Sequence, residues 1–171
     1  MVESIVGWIV NAFSGLSSIA FGKEILVFII SLMPILELRG GLIAASLLKL
    51  NLLPSFIITY IGTILPIPFI LWFIKSIIDW MGKTKKFKGI AEWLNKKAEK
   101  NKPKIDKYGF WGLVLFVGIP LPGTGAWTGS LVAALFEMDR KKSLLAVIIG
   151  SLLASIIMMI FSYGVLGKLL T

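Results

Sequence analysis

Residues 108–136 read YGFWGLVLFVGIPLPGTGAWTGSLVAALF. An apolar run from Tyr108 stops at Pro120, and a second one starts at Ala126 and ends at Phe136. Each arm has about ten to twelve residues, or roughly 15–18 Å of helix, which is half the hydrocarbon thickness of a bilayer. Pro120 and Pro122 withdraw backbone donors and break the first arm. Gly123 and Gly125 permit left-handed backbone and close approach. The pattern predicts a re-entrant helical hairpin over 108–138, entering a membrane and turning back.

A second stretch has the same form. Ile25–Leu36 is apolar, breaks at Glu37-Leu-Arg39-Gly-Gly41, and resumes as far as Leu48, which predicts another re-entrant hairpin over 25–50. Two further runs are long enough to cross a membrane: 52–74, which contains Pro54, Pro66 and Pro68, and 143–167. Charge favours hairpins over kinked spans. Eleven lysines lie between Lys75 and Lys107, against Asp79, Glu92, Glu99 and Asp106, and a second basic knot is Arg140-Lys141-Lys142. The positive-inside rule puts both on the cytoplasmic side of a cell membrane. A hairpin over 108–138 keeps them on one side, whereas a single crossing would separate them.

Sliding the chain by 88 positions brings Pro34 onto Pro122, Gly41 onto Gly129, Ala45 onto Ala133, Ser55 onto Ser143 and Gly62 onto Gly150, without a gap. Each half is then a hairpin followed by one span. One span separates the hairpins, so they enter from opposite faces. The expected fold is all-α integral membrane: an inverted repeat of re-entrant hairpin plus transmembrane helix, in one multi-pass domain over 1–171. Two interfacial amphipathic helices complete it. Residues 1–21 carry Val2, Ile5, Val6, Ile9, Phe13 and Leu16 on one face. In the basic segment 75–107, Phe87, Ile90, Ala91, Leu94 and Ala98 form an apolar stripe, with Trp93 in the belt position.

Composition agrees with a membrane setting. Of 171 residues 57% are apolar and 16% charged, where a soluble domain has about a quarter charged. Mean hydropathy is +0.89. The absence of Cys and His excludes a disulfide framework, a Cys/His zinc site and a His-centred triad. The net charge of +9 is a topology signal, not a nucleic-acid footprint. An enzyme is not expected, nor is a cofactor; proton or sodium coupling is open.

Candidate site residues lie at the two breaks. Charge at bilayer depth costs at least about 2.5–3.5 kcal/mol per residue, so Glu37 and Arg39 must pair or face a wet cavity. Arg39 has the planar fork that grips phosphate or carboxylate. Glu37 is a partner for Arg39 or a proton carrier. At the other break, Pro120, Pro122, Gly123, Thr124, Gly125, Trp127 and Thr128 precede or open a new helix, whose free N–H groups favour an anion. With Gly40 these residues make up the expected substrate site.

Glu37-Leu-Arg-Gly40, followed downstream by Pro120-Leu-Pro-Gly-Thr-Gly-Ala-Trp-Thr-Gly129, resembles the small multidrug export protein family over residues 25–165. It is more distantly similar to the DedA (VTT-domain) membrane protein superfamily. That second resemblance implies two opposed re-entrant hairpins and movement of polyprenyl phosphate or phospholipid. The second hairpin here lacks the arginine that DedA proteins carry, so the resemblance implies a substrate class and not a map of roles. The first reading is therefore a transporter or flippase of an anionic lipid, with polyprenyl phosphate as the first candidate, held between the two tips. Efflux of small molecules, with Glu37, Trp72 and Trp127 lining the cavity, is the alternative, and a non-transporting scaffold is the third. The expected partners are the bilayer, the lipid and a second copy in a homodimer.

Overall fold

The computed structural model describes residues 2–12, 15, 21–84, 88, 89, 92, 108–121 and 123–166. Among these all regular structure is helical. In chain order the helices are α1 (Val2–Ala12), α2 (Gly22–Leu32), α3 (Glu37–Leu47), α4 (Leu52–Ile64), α5 (Ile67–Lys83), α6 (Tyr108–Gly118), α7 (Ala126–Leu135) and α8 (Arg140–Met159), which runs on into a π-helical segment, Ile160–Leu166. Two helical stretches are long and apolar enough to cross a membrane, Leu52–Ile74 and Arg140–Gly164.

The first hairpin corrects the sequence reading. The break falls at Met33–Leu36, and Glu37, Arg39, Gly40 and Gly41 are all helical. The Gly40-Gly41 pair is there for contact and does not turn the chain. A Cβ on Gly41 would run into Ser31 Oγ and come within 2.7 Å of Thr59 Cγ2, and one on Gly40 would lie 3.3 Å from Ile30 Cγ2 of the first arm. The helix arms therefore approach more closely than any side chain would allow.

Two other boundaries also differ. The run over 52–74 is interrupted at Leu65–Pro66, where proline withdraws a donor, and then continues as α5 to Lys83, past the predicted end. Lysine favours helix, so the basic residues do not stop it. α8 starts three residues earlier than predicted because Asp139 caps it, accepting from Lys142 N at 2.8 Å. Of the predicted amphipathic segments, α1 buries Val6 and Ile9 and packs on α3. Phe13 and Leu16, the stripe residues Phe87, Ile90, Ala91, Leu94 and Ala98, and Trp93 lie outside the described residues.

The backbone repeats at the 88-residue spacing. Seven described positions have positive φ, and six of them form three pairs: Phe21 (61°) with Gly109 (39°), Glu37 (48°) with Gly125 (146°), and Lys49 (56°) with Glu137 (55°). Helix ends match bond for bond. Leu48, Lys49 and Leu50 N–H donate to Ala44, Ser46 and Ala45 C=O; Phe136, Glu137 and Met138 N–H donate to Val132, Ala134 and Ala133 C=O. Asn51 and Asp139 occupy the N-cap positions of α4 and α8.

The halves interlock. α5 packs on α7, and α3 packs on the end of α8 and on the π segment. Two apolar cores result. One joins α1, α2 and α3 to Ala154 and Met158; the other joins α6 and α7 to Ile67, Ile70 and Leu71 of α5 and to Ala146 and Val147. The long helices are antiparallel: Tyr60 donates to Ile148 O at 2.9 Å, while Tyr163 donates to Leu50 O at 3.2 Å. Residues 60 and 148 are themselves 88 apart.

Candidate functional site

The two tips meet. α3 and α7 both begin where a hairpin turns, and Glu37 and Gly125 are the matched positions at those starts. Glu37 is 4% exposed, and its carboxylate lies across the first turn of α7. Oε2 accepts from Ala126 N at 3.0 Å and Oε1 from Trp127 N at 2.9 Å. These N–H groups belong to the four that a helix leaves unpaired at its start. One carboxylate thus meets two positive helix ends, its own and that of α7. Gly125 makes this possible, because a Cβ there would collide with both Glu37 oxygens. The φ of 48° at Glu37 is rare outside glycine, and it marks this residue as held in a strained conformation.

Arg39 reaches the turn that precedes α7. Its Nη1 donates to Leu121 O at 2.6 Å, and its Nη2 to Thr124 Oγ1 at 3.1 Å and, more weakly, to Ile119 O at 3.4 Å. These carbonyls belong to the turn after α6 and also accept from the backbone, Ile119 O from Leu121 N at 2.8 Å and Leu121 O from Thr124 N at 3.2 Å. Thr124 ties the same turn together. Its hydroxyl lies 2.8 Å from Ile119 O and 2.9 Å from Leu121 O, and it accepts from Leu121 N at 3.2 Å.

The sequence brought Glu37, Arg39 and the second tip to one place, and the structure joins them. It differs on how they are paired. The acid and the base each reach across to the other hairpin instead of to one another. The N–H groups expected to receive a substrate already hold a carboxylate of the chain itself. The signal for this was present in the repeat, which sets Glu37 opposite Gly125. Of the remaining candidates, Gly40 packs under Leu36, Pro120 and Thr128 are half-buried beside the tip, and Gly123 is exposed at φ 82° with open space around its Cα. Pro122 lies outside the described residues. Trp127 contributes its backbone N–H, and its indole Nε1 is buried without a hydrogen-bond partner. Trp72 stands apart on α5, 45% exposed.

Searches of curated proteins and of solved structures returned no match. A family model matches residues 37–157, which begin at the carboxylate on the α7 start and run through most of α8. That is more than two thirds of the 171 residues, and the chain belongs to the family described as "Putative small multi-drug export protein".

Proposed function

We propose that the chain is a membrane transporter that moves an anionic lipid, with the headgroup passing through the junction of the two tips and a polyprenyl phosphate as the first substrate to try. The observation that carries this reading is the Glu37 carboxylate bound to Ala126 N and Trp127 N beside the Arg39 guanidinium. The start of α7 binds this acid, and an arginine two residues along the same helix holds the turn before α7. The junction is therefore built to hold negative charge, and Glu37 supplies it at rest. A phosphate makes the same bonds as a carboxylate at a helix start. When Glu37 leaves or takes up a proton, the headgroup takes its place.

The tips are read as re-entrant, at mid-depth in the bilayer. Gly62, halfway along the α4–α5 rod, packs on Phe28 and Ser31 near the first tip, and Gly150 packs on Val114 and Val117 near the second. The outer faces of the long helices are apolar, with Ile57, Ile61, Phe69, Phe73, Ile156 and Ile160 exposed. Antiparallel long helices and repeat-matched contacts at 37/125 and 60/148 support a two-fold axis perpendicular to those helices, which makes the repeat inverted when they cross a bilayer. Loaded proteoliposomes test the function. Labelled polyprenyl phosphate in both leaflets should become fully accessible from outside with wild type and stay half-accessible with Arg39→Ala or Glu37→Gln. Flipping that survives Arg39→Ala rejects the anionic-lipid reading.

The family description favours a second reading, export of small organic molecules. In that case Glu37 is the membrane acid that a cationic solute would meet. Transport of a cationic dye that requires Glu37 and is indifferent to Arg39 would select this reading over the first.

A further inference from the structure

The seam between the two arms of the second hairpin holds an apolar groove of about 300 Å³. Gly109, Gly112, Leu113 and Phe116 of α6 line one side and Val132 of α7 the other. From residue 109 to residue 116 a helix rises about 10 Å. Met138, just past the end of α7, lines this groove and also a second cleft, of about 180 Å³, on the α5 side of α7. That cleft carries Arg140 and Glu137, with Leu71 and Ala134. An apolar groove and a charged cleft thus share one wall, which is the shape of a site for an amphiphile.

The repeat shows that this end is not a by-product of the fold. At the matching positions of the first hairpin, Phe21 and Glu24 replace Gly109 and Gly112, and Leu52 replaces Arg140. Phe21 holds the same left-handed backbone as Gly109 with a side chain attached, at φ 61° against 39°, so the turn does not require glycine. A Cβ on Gly109 would meet nothing within 4 Å. Glycine there keeps the groove wide at its open end.

Charge selects the ligand. Arg140, Lys141 and Lys142 are all exposed at this end and outnumber Glu137, while Asp139 is engaged in capping α8. An arginine fork takes a phosphate by two parallel bonds, and basic residues at a bilayer surface draw anionic lipid. One groove takes one chain. We propose that cleft and groove together form a loading site for a single-chain lipid phosphate. The phosphate sits on Arg140, and the chain passes Met138 into the seam of α6 and α7. Methionine suits that passage, being unbranched and adaptable. Delivery of the headgroup onward to the tips rests on the transport reading above; binding at this end does not.

A polyprenyl phosphate with a photoreactive group in its chain tests the site, in vesicles that carry the full protein. After irradiation, mass spectrometry of the peptides should place most adducts on Leu113, Phe116, Val132 and Met138. Arg140→Gln should cut this labelling by about fivefold or more, through loss of the charge-assisted bonds. Val132→Trp, which fills the groove, should cut it as far. Unlabelled polyprenyl phosphate should compete, and the matching polyprenol should not. Adducts spread equally over the groove and the outer faces at Ile57 and Ile156 would show a chain that is merely dissolved in the bilayer, and would overturn the proposal. So would groove labelling that is indifferent to Arg140→Gln. Groove labelling without flipping would keep the site and reject transport; flipping without groove labelling would keep transport and reject the site.

Discussion

The two hairpins share a backbone and differ in what they carry. Both turn at a proline-marked tip, both begin their second arm at a positive-φ residue, and both end it in the same three-bond cap. Only the first has charge at its tip. In the second, Gly125 stands where Glu37 does, and Trp127 where Arg39 does. The difference follows from where the tips sit. Matched positions meet at the junction, so one acid can serve two helix starts, and a second acid would face the first across a gap that glycine must leave empty. Asymmetry in sequence is thus the condition for a symmetric backbone to close on itself.

Substitutions at the tips break this comparison in a definite order. Gly125→Ala should cost most, about 3 kcal/mol or more, since the new Cβ meets the Glu37 carboxylate and the backbone is one that side chains rarely adopt. Gly123→Ala in the same turn meets nothing and should cost only about 1–2 kcal/mol of backbone strain. Thermal unfolding of the purified proteins compares the two, and equal losses would mean that Gly125 is not there to admit Glu37. Glu37→Ala comes next. It leaves the Ala126 and Trp127 N–H groups unpaired in a buried place, for about 2–3 kcal/mol. Glu24, half-buried on the outer arm of the same hairpin, should lose no more than about 0.5 kcal/mol on the same substitution. Arg39→Met should cost about 1–2 kcal/mol, because it removes charge-assisted bonds to a turn that Thr124 also holds. The smallest change is Tyr60→Phe, about 0.5–1 kcal/mol, from one bond at the crossing of the long helices. A loss there that exceeds the Arg39 loss would move the centre of the molecule from the tips to the crossing.

Much of this architecture was legible in the chain. The second tip is written in Pro120–Gly125, where nothing else explains two prolines and two glycines between apolar arms. The 88-residue spacing was visible in Gly41 and Gly129 and in Gly62 and Gly150, and each of these packs against the first arm of its own half. What misled was the glycine pair at 40 and 41. Glycine marks a turn and a close approach equally well, and only the neighbours Ser31 and Thr59 decide between them. The partners of Glu37 and Arg39 were hidden for a related reason. Two opposite charges two residues apart read as a pair, but the N–H groups of a helix start and the carbonyls of a turn are not displayed by composition, and each side chain found those partners across the junction. The bonds from Ser46 to Ser162 O and from Tyr163 to Leu50 O were beyond reach, since they depend on a π turn that no pattern of residues announces.

The claim at the centre of this account is that a substrate anion and the Glu37 carboxylate compete for the same two N–H groups. Melting of wild type and Glu37→Ala in detergent, with a polyprenyl phosphate or the matching polyprenol, tests it most directly. A ligand that fills the vacated cradle should restore what the variant lost, so the phosphate should raise the melting temperature of Glu37→Ala by several degrees more than that of wild type, and the alcohol should separate neither. Equal shifts in the two proteins, or no shift in Glu37→Ala, would put the anion elsewhere and contradict the account.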